Sequence, residues 1–275
     1  MISEQITEVW KQEQEILNVI DQICKRHDLK YSLAYGTLIG AVRHGGFIPW
    51  DDDIDLMMPR QDYEKLREVW KQEVSSNYIL QDSRTDLDFT QNFLKIRKDH
   101  TTFLQSEEER LRKYHKGIFV DIFPGDRVAP GKLARKMQFA ACAVNLLYTR
   151  GFTSKSGGII EIIEKALLCI PFRFHSRIRE AMNKFIQSWN GKEKGQYVFP
   201  STIVASRRYY PSDLFSCMTQ ISFNGKQYSC VKDIDTVLRI DYGDYMQLPP
   251  ESERVWKHHP IIIDFEHNYE ELTQK

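Results

Sequence analysis

An excess of charge of one sign is missing from this sequence. Its 275 residues include 38 Lys and Arg and 38 Asp and Glu, so the formal net charge is zero. Proteins that bind nucleic acid usually carry a strongly basic surface. The balance of charges therefore argues against a nucleic-acid partner, and we expect none.

Cysteine pairs and long apolar runs are missing as well. The five cysteines are widely spaced and none forms a CxxC pair, which argues against a zinc ribbon or a disulfide scaffold. No stretch reaches the roughly 18 uninterrupted apolar residues of a membrane span. The opening MISEQITEVW carries Glu and Gln where a signal peptide would be basic and then apolar. We therefore expect reduced thiols and a cytoplasmic protein.

The hydrophobic pattern predicts an α+β fold. Apolar residues recur at helical spacing over residues 4–26, and short β-prone runs follow. The predicted strands are 31–35, 51–58, 92–98 and 117–124, and the predicted helices between them are 38–44 and 60–72. Gly45-Gly46 would end the first of these helices. A mixed sheet with flanking helices is the natural assembly of such elements.

Over residues 129–190 the sequence pattern becomes that of amphipathic helices rich in Lys and Arg. We therefore divide the chain into a core at 1–128, a helical subdomain at 129–195, and a C-terminal α/β segment at 196–275 that packs on the core. The helical segment fits either an ordinary subdomain or a surface that meets a membrane or a lipid-linked acceptor.

The densest cluster of charge is acidic and lies in the run GTLIGAVRHGGFIPWDDDIDLMM. Alternate residues of a strand share a face, so we expect Asp51, Asp53 and Asp55 on one face and Asp52 on the other. A calcium loop of the EF-hand type is excluded because its sixth position would be Leu56 instead of glycine. A solvated acidic turn and a Mg²⁺ site remain as alternatives.

A Mg²⁺ site for phosphoryl transfer would need a third carboxylate and a place for phosphate. Asp121, the one acid in the apolar run GIFVDIFP, would join Asp53 and Asp55 from a neighbouring strand. A turn at Gly36-Thr37, heading a short helix, would offer backbone N–H groups to a phosphate. Cations that would balance phosphate charge, each with a surface ion pair as the competing explanation, are Arg43, His44, Lys95 and Arg97.

These residues resemble a known family. YGTLIGAVRHGGFIPWDDDIDLMM is very similar to the signature of the LicD family, which includes the fukutin-type proteins, and the similarity continues in FLKIRKDHTTF, FVDIFP and YGDYMQLPP. The resemblance implies a nucleotidyltransferase-like fold with its turn at Gly36-Thr37 and Asp51 in a supporting position. It also implies Mg²⁺ or Mn²⁺ held by Asp53, Asp55 and Asp121.

The resemblance also implies an activity. Family members look like transferases that move a substituted phosphate from a CDP-linked donor to a glycan hydroxyl. In the bacterial members the typical donor is CDP-choline. The implied reaction is in-line attack by the acceptor hydroxyl with expulsion of CMP. The implied acceptor is a glycan of lipopolysaccharide, teichoic acid or capsule biosynthesis, or its lipid-linked precursor at the inner face of the membrane.

Two rival functions stay open. One is a transferase of the same fold that uses CDP-glycerol, CDP-ribitol or an NTP. The other is a non-catalytic protein that binds metal or glycan.

Choline is a quaternary ammonium, and aromatic faces bind such groups. The aromatic residues nearest the motif-like segments, each with core filling as the competing role, are Trp50, Tyr209, Tyr210, Tyr242 and Tyr245. Arg254 is a candidate for the donor phosphate, with a surface ion pair as the alternative. His258 and His259 are adjacent, and on a strand they would face opposite ways, so we do not expect them to bind one metal together.

Overall fold

A computed structural model describes residues 4–74, 77–86, 88–153, 157–191, 195–256 and 258–273. Its α-helices are α1 (Glu4–Arg26), α2 (Tyr35–His44), α3 (Arg60–Glu73), α4 (Glu107–Arg110), α5 (Lys132–Arg150), α6 (Gly158–Leu168), α7 (His175–Gln187), α8 (Ile234–Tyr242) and α9 (Tyr269–Thr273). Its strands are β1 (Ser32–Leu33), β2 (Asp55–Pro59), β3 (Tyr78–Gln81), β4 (Leu94–Lys98), β5 (Thr102–Leu104), β6 (Phe119–Arg127), β7 (Tyr197–Val198), β8 (Met218–Phe223), β9 (Lys226–Val231) and β10 (Ile262–Asp264).

The chain forms two compact units. The first contains Met1–Phe89, Phe93–Pro124 and Leu214–Lys275, and the second contains Thr90–Asn92 and Gly125–Asp213. Among the described residues, none of the helices is both long enough and apolar enough to span a membrane.

The first unit is built on a sheet with the strand order β1-β2-β6-β4-β3. Helix α1 lies against its core with the buried residues Ile6, Val9, Ile16, Leu17 and Ile20. Their spacings of three, seven, one and three residues place them on one face of the helix. The predicted α+β fold, a mixed sheet with flanking helices, is confirmed.

The first predicted strand is much shorter in the structure. β1 covers only Ser32–Leu33, and α2 already begins at Tyr35, whose φ is 44°. Gly36-Thr37 therefore lies in the first turn of α2 instead of in a turn before it. The predicted end of the helix is confirmed, because Gly45 follows α2 in the left-handed conformation with a φ of 70°.

The second predicted strand also begins later, at Asp55 instead of residue 51. The N–H of Asp51 donates to the carbonyl of Ile48 at 2.9 Å, which closes a turn. The indole N–H of Trp10 in α1 donates to the carbonyl of Asp51 at 2.8 Å. These bonds hold the segment before β2 as a loop, so the strand alternation expected for Asp51–Asp55 does not apply.

The second unit is mainly helical, which confirms the pattern over 129–190. Helices α5, α6 and α7 lie here, and Ala141, Cys142 and Ile186 form a small buried cluster. β7 pairs antiparallel with the last residues of β6, Asp126 and Arg127. Because of this pairing the unit extends over 125–213, and the predicted division at 129–195 and 196–275 does not match it.

Candidate active site

Three consecutive carboxylates converge in the loop before β2. Asp51, Asp52 and Asp53 each offer an oxygen, and these oxygens lie within 4.8 Å of one another. Asp51 and Asp52 are buried, and Asp53 is partly buried. The prediction that Asp52 faces away from its neighbours is wrong, because residues in a loop need not alternate between two faces as strand residues do.

The backbone of β6 brings Asp121 close to this loop. The N–H of Asp121 donates to the carbonyl of Ile54 at 2.9 Å, and Ile54 is the residue between Asp53 and Asp55. The carboxylates of Asp55 and Asp121 do not belong to the group of oxygens that Asp51, Asp52 and Asp53 form. The backbones of the predicted ligands Asp53, Asp55 and Asp121 are therefore neighbours. The side chains that converge most closely, however, are those of residues 51–53.

Lys95 neutralises Asp121. The two residues are partners in the register of β4 and β6, and the ammonium lies 2.6 Å and 2.8 Å from the two carboxylate oxygens. Both side chains are buried, and the Lys95 Nζ lies 3.3 Å from the centre of the Phe119 ring. Burial lowers the pKa of Lys95. The contact with both carboxylate oxygens opposes that effect, so Lys95 compensates Asp121 from inside the sheet.

The start of α2 fits closely against the acidic loop. A Cβ on Gly36 would lie 2.3 Å from Oδ2 of Asp51, so a side chain here would force one of the two residues to move. The buried hydroxyl of Thr37 accepts a hydrogen bond from the N–H of Asp55 at 2.8 Å. Gly36 and Thr37 thus hold the two ends of the acidic segment in place.

His258 is a hydrogen-bonding partner of the cluster that the motifs did not reveal. Its Nδ1 lies 3.0 Å from Oδ1 of Asp52, and its Nε2 lies 3.8 Å from Oδ2 of Asp53. Burial by itself lowers the pKa of His258, but the hydrogen bond with Asp52 and the charge of Asp53 raise it above its ordinary value. His259 is exposed.

Glu13 of α1 is a further carboxyl group beside the aspartates. It is 1% exposed, and within the described part of the chain its Oε2 has no hydrogen-bond partner. Burial, followed by the charges of Asp53 and Asp52, raises the pKa of Glu13 well above its ordinary value. The helical pattern contained a signal for this residue, because Glu13 occupies a position of the apolar face between Val9 and Ile16.

Arg97 does not have the phosphate-binding role predicted for it. Its guanidinium is buried and donates to the side-chain oxygen of Gln81 and to the carbonyl of Gly117, each at 2.7 Å. Such a cation inside the fold has its donors satisfied by protein acceptors. We therefore assign Arg97 a structural role.

A cavity of about 480 Å³ adjoins the acidic loop at Gly36. Its lining includes one cation and three aromatic residues that were candidates for ligand binding, namely Arg43, Trp50, Tyr242 and Tyr245. Tyr209 and Tyr210, the other two aromatic candidates, lie in the second unit. There Tyr210 is buried and its backbone pairs with that of Tyr197.

Charged groups of both signs surround this cavity, because Asp244 and Glu253 line it together with Arg43. The guanidinium of Arg254 lies 5.4 Å from the centre of the Trp50 ring, and the ring of His44 meets Trp50 edge-on at 6.1 Å. Arg43 donates to the carbonyl of Tyr245 at 2.9 Å. Burial, and then the charge of Arg254, lowers the pKa of Arg43. Arg43 and Arg254 are therefore the groups near this cavity that could bind an anionic ligand, and Asp244 and Glu253 offset part of their charge.

Residues 28–141 match the sequence model of the nucleotidyltransferase domain of LicD, FKTN and FKRP proteins. The chain carries a LicD-family domain. The LicD domain contains all nine of the predicted site residues, whereas Glu13, Arg254 and His258 lie outside it.

Similarity to curated proteins extends beyond the LicD domain. The lipopolysaccharide cholinephosphotransferase LicD of Haemophilus influenzae is 26% identical over 254 residues, which is 86% of this chain and 91% of the relative. An uncharacterised protein of Rickettsia prowazekii is 25% identical over 141 residues, 44% of this chain and 52% of that protein. The resemblance to the LicD family is therefore confirmed.

Proposed function

We propose that this protein is a transferase that moves phosphocholine from CDP-choline to a hydroxyl of a cell-surface glycan or of its lipid-linked precursor. The observation that carries the proposal is the convergence of Asp51, Asp52 and Asp53 beside a cavity with cationic and aromatic walls. The name of the Haemophilus influenzae relative, a lipopolysaccharide cholinephosphotransferase, supports the transferred group and a glycan acceptor.

The residues of the site fit a hard divalent cation, for which Mg²⁺ or Mn²⁺ is our proposal. The donor set consists of carboxylate oxygens, and Mg²⁺ prefers oxygen ligands. Burial first, and then the charges of Asp53 and Asp52, raise the pKa of Glu13, and the carboxylates of Asp52 and Asp53 raise that of His258, so the site gathers negative charge. When bound, a divalent cation would neutralise charge on the donor diphosphate.

Asp53 is our candidate for the central ligand. It belongs to the converging group, and its charge acts on Glu13, Lys95 and His258. Asp55 and Asp121 would complete the site, because the bond from Asp121 to the carbonyl of Ile54 places their backbones side by side.

The proposed reaction forms one bond and breaks one bond at phosphorus. The acceptor oxygen attacks the phosphorus that carries choline, and the bond from that phosphorus to the oxygen of CMP breaks, so that its electron pair leaves with CMP. Asp121 would accept the proton of the acceptor hydroxyl on a carboxylate oxygen, while Lys95 holds that carboxylate in place. Positioning and charge neutralisation supply most of the rate in phosphoryl transfer.

The cavity beside Gly36 is our proposed donor site. Arg43 and Arg254 would bind the diphosphate, and Trp50 would contact the choline cation through its aromatic face. The first turn of α2 would direct backbone N–H groups at the same phosphates.

A thermal-shift screen tests the proposal. CDP-choline, CDP-glycerol, CDP-ribitol, CMP and ATP would each be added with and without Mg²⁺. A ligand that binds only the native state adds about 2.7 kcal/mol of stability at a hundredfold excess over its dissociation constant. We expect a Mg²⁺-dependent rise in melting temperature with CDP-choline, followed by transfer of labelled choline from that donor to lipopolysaccharide.

Asp53→Asn should abolish both the shift and the transfer, and Asp213→Asn, at an exposed position in the second unit, should keep both. A shift with CDP-glycerol or CDP-ribitol alone would change the transferred group. The absence of any nucleotide-dependent shift, together with binding of metal alone, would favour a binding protein instead of an enzyme.

A further inference from the structure

Helix α6 in the second unit has its apolar residues on the outside. Ile159, Ile160, Ile162 and Ile163 are 74%, 56%, 66% and 52% exposed. No residue of α6, all of which is described, is buried. We call these four isoleucines the α6 face. Helices on the surface of a globular protein normally turn such a face toward the core.

The polar side of α6 faces the protein instead. Glu164 forms a salt bridge with Arg150 of α5 at 2.5 Å. The hydroxyl of Tyr148, also in α5, donates to the carbonyl of Leu167 at 2.9 Å. With 100° between successive residues, the α6 face covers one side of the helix and Glu161 and Glu164 lie on the other. The salt bridge of Glu164 is therefore a specific contact that turns the α6 face outward.

The sequence on both sides of α6 is basic, although α6 itself contains two Glu and one Lys. Residues 129–190 contain ten Lys and Arg and only three Asp and Glu, in a chain with zero net charge. Arg173 and Arg177, shortly after α6, are exposed. Large aromatic residues flank the helix along the chain, with Phe152 67% and Phe172 83% exposed. An exposed apolar helix face, followed along the chain by exposed arginines and flanked by exposed aromatic residues, is a feature of interfacial membrane-binding segments.

We propose that α6 binds the surface of an anionic phospholipid bilayer. The helix would lie parallel to the membrane, with the α6 face in the headgroup and acyl boundary and Arg173 and Arg177 at the phosphates. The net positive charge complements anionic headgroups, and this complementarity favours a bilayer over a protein groove. The proposal depends on the second unit alone and not on the proposed transferase activity.

Co-sedimentation with vesicles tests the proposal on the full chain. One set of vesicles would contain only phosphatidylcholine, and the other would also contain phosphatidylglycerol. We expect binding to the anionic vesicles that weakens as salt is added, because salt screens the charges of Arg and Lys. Ile159→Gln/Ile163→Gln should lower the partition coefficient about tenfold or more, because it removes apolar area from the membrane contact.

The matched control is Leu111→Gln/Ile261→Gln, which removes two exposed apolar side chains from the first unit. The control should bind vesicles like the wild-type protein, and Arg173→Gln/Arg177→Gln should bind less tightly and depend less on salt. Circular dichroism and melting temperature would establish that each variant is folded. This assay involves no nucleotide, so its outcome is independent of the donor screen.

Three results would overturn the proposal. The first is wild-type protein that binds neither kind of vesicle. The second is Ile159→Gln/Ile163→Gln protein that binds anionic vesicles as well as the wild type. The third is a dimer, detected by sedimentation velocity, that the same double variant dissociates while vesicle binding is absent, because α6 would then be an interface between two copies of the chain.

Discussion

The ammonium of Lys95 lies 2.6 Å and 2.8 Å from the two carboxylate oxygens of Asp121, and the two residues are partners across β4 and β6. The pair is buried, so each charge depends on the other for compensation. Asp121 is also bonded through its N–H to Ile54, between Asp53 and Asp55. Lys95 therefore links the stability of the sheet to the acidic site.

Lys95→Met should destabilise the protein strongly. The change leaves Asp121 buried without its cation, and breaking a buried pair in this way typically costs roughly 3–5 kcal/mol. Lys65→Met is the matched control, because Lys65 and Glu68 form an exposed pair at 3.6 Å worth about 0–1 kcal/mol. Urea unfolding in EDTA would measure both variants. Equal losses for the two would show that Asp121 does not depend on Lys95.

Gly36→Ala should impair the site more than the fold. Its Cβ would lie 2.3 Å from Oδ2 of Asp51, and such overpacking typically costs about 1–3 kcal/mol. Because the side chain that must move is Asp51, we expect metal-dependent donor binding to weaken as well. Gly195→Ala is the control, since its Cβ would meet its nearest neighbour at an ordinary 3.6 Å. Calorimetric titration with CDP-choline and Mg²⁺ would measure the affinity of each variant for the donor. An affinity of Gly36→Ala equal to that of the wild type would contradict the close fit of Gly36 against Asp51.

Glu13→Gln should change how stability depends on pH. The pKa of Glu13 in the folded protein is raised, so its favourable contribution is complete below the unfolded pKa of about 4.3 and is lost as pH rises through the folded value. Glutamine cannot ionise and escapes this loss. In EDTA the variant should therefore match the wild type near pH 4 and melt at a higher temperature near pH 8.

Glu107→Gln serves as the control for that experiment, because Glu107 is exposed and its replacement should leave the curve of melting temperature against pH unchanged. Parallel curves for Glu13→Gln and the wild type would show that the Glu13 carboxyl is not held neutral by its surroundings.

Trp50→Leu should reduce affinity for CDP-choline more than affinity for CMP. A cation–π contact is worth about 0.5–2 kcal/mol, which corresponds to a loss of roughly 2- to 30-fold for the choline-bearing ligand. Leucine keeps an apolar wall but has no aromatic face. Leu248→Ala, another cavity position, would show the effect of lost packing alone. Equal losses for CDP-choline and CMP in Trp50→Leu would place the choline group away from Trp50.

The sequence alone supported the α+β fold, the helix over residues 4–26 and the chemical character of the acidic site. These features depend on periodic apolar residues and on rare clusters of like charge, which remain visible in a linear chain. Asp51, Asp52, Asp53 and Asp121 could be singled out for the same reason.

The partners of those acids were decided only by the tertiary structure. Glu13 and His258 are 245 residues apart in the chain, and both reach the acidic cluster because α1 and the C-terminal segment pack against one core. Asp51 accepts a hydrogen bond from Trp10 and donates one to Ile48, and these bonds make a loop of the segment that we expected to be a strand. The loop brings together three carboxylates that a strand would have separated. Local patterns determine which residues can do the chemistry, whereas burial and long-range contacts determine which of them meet.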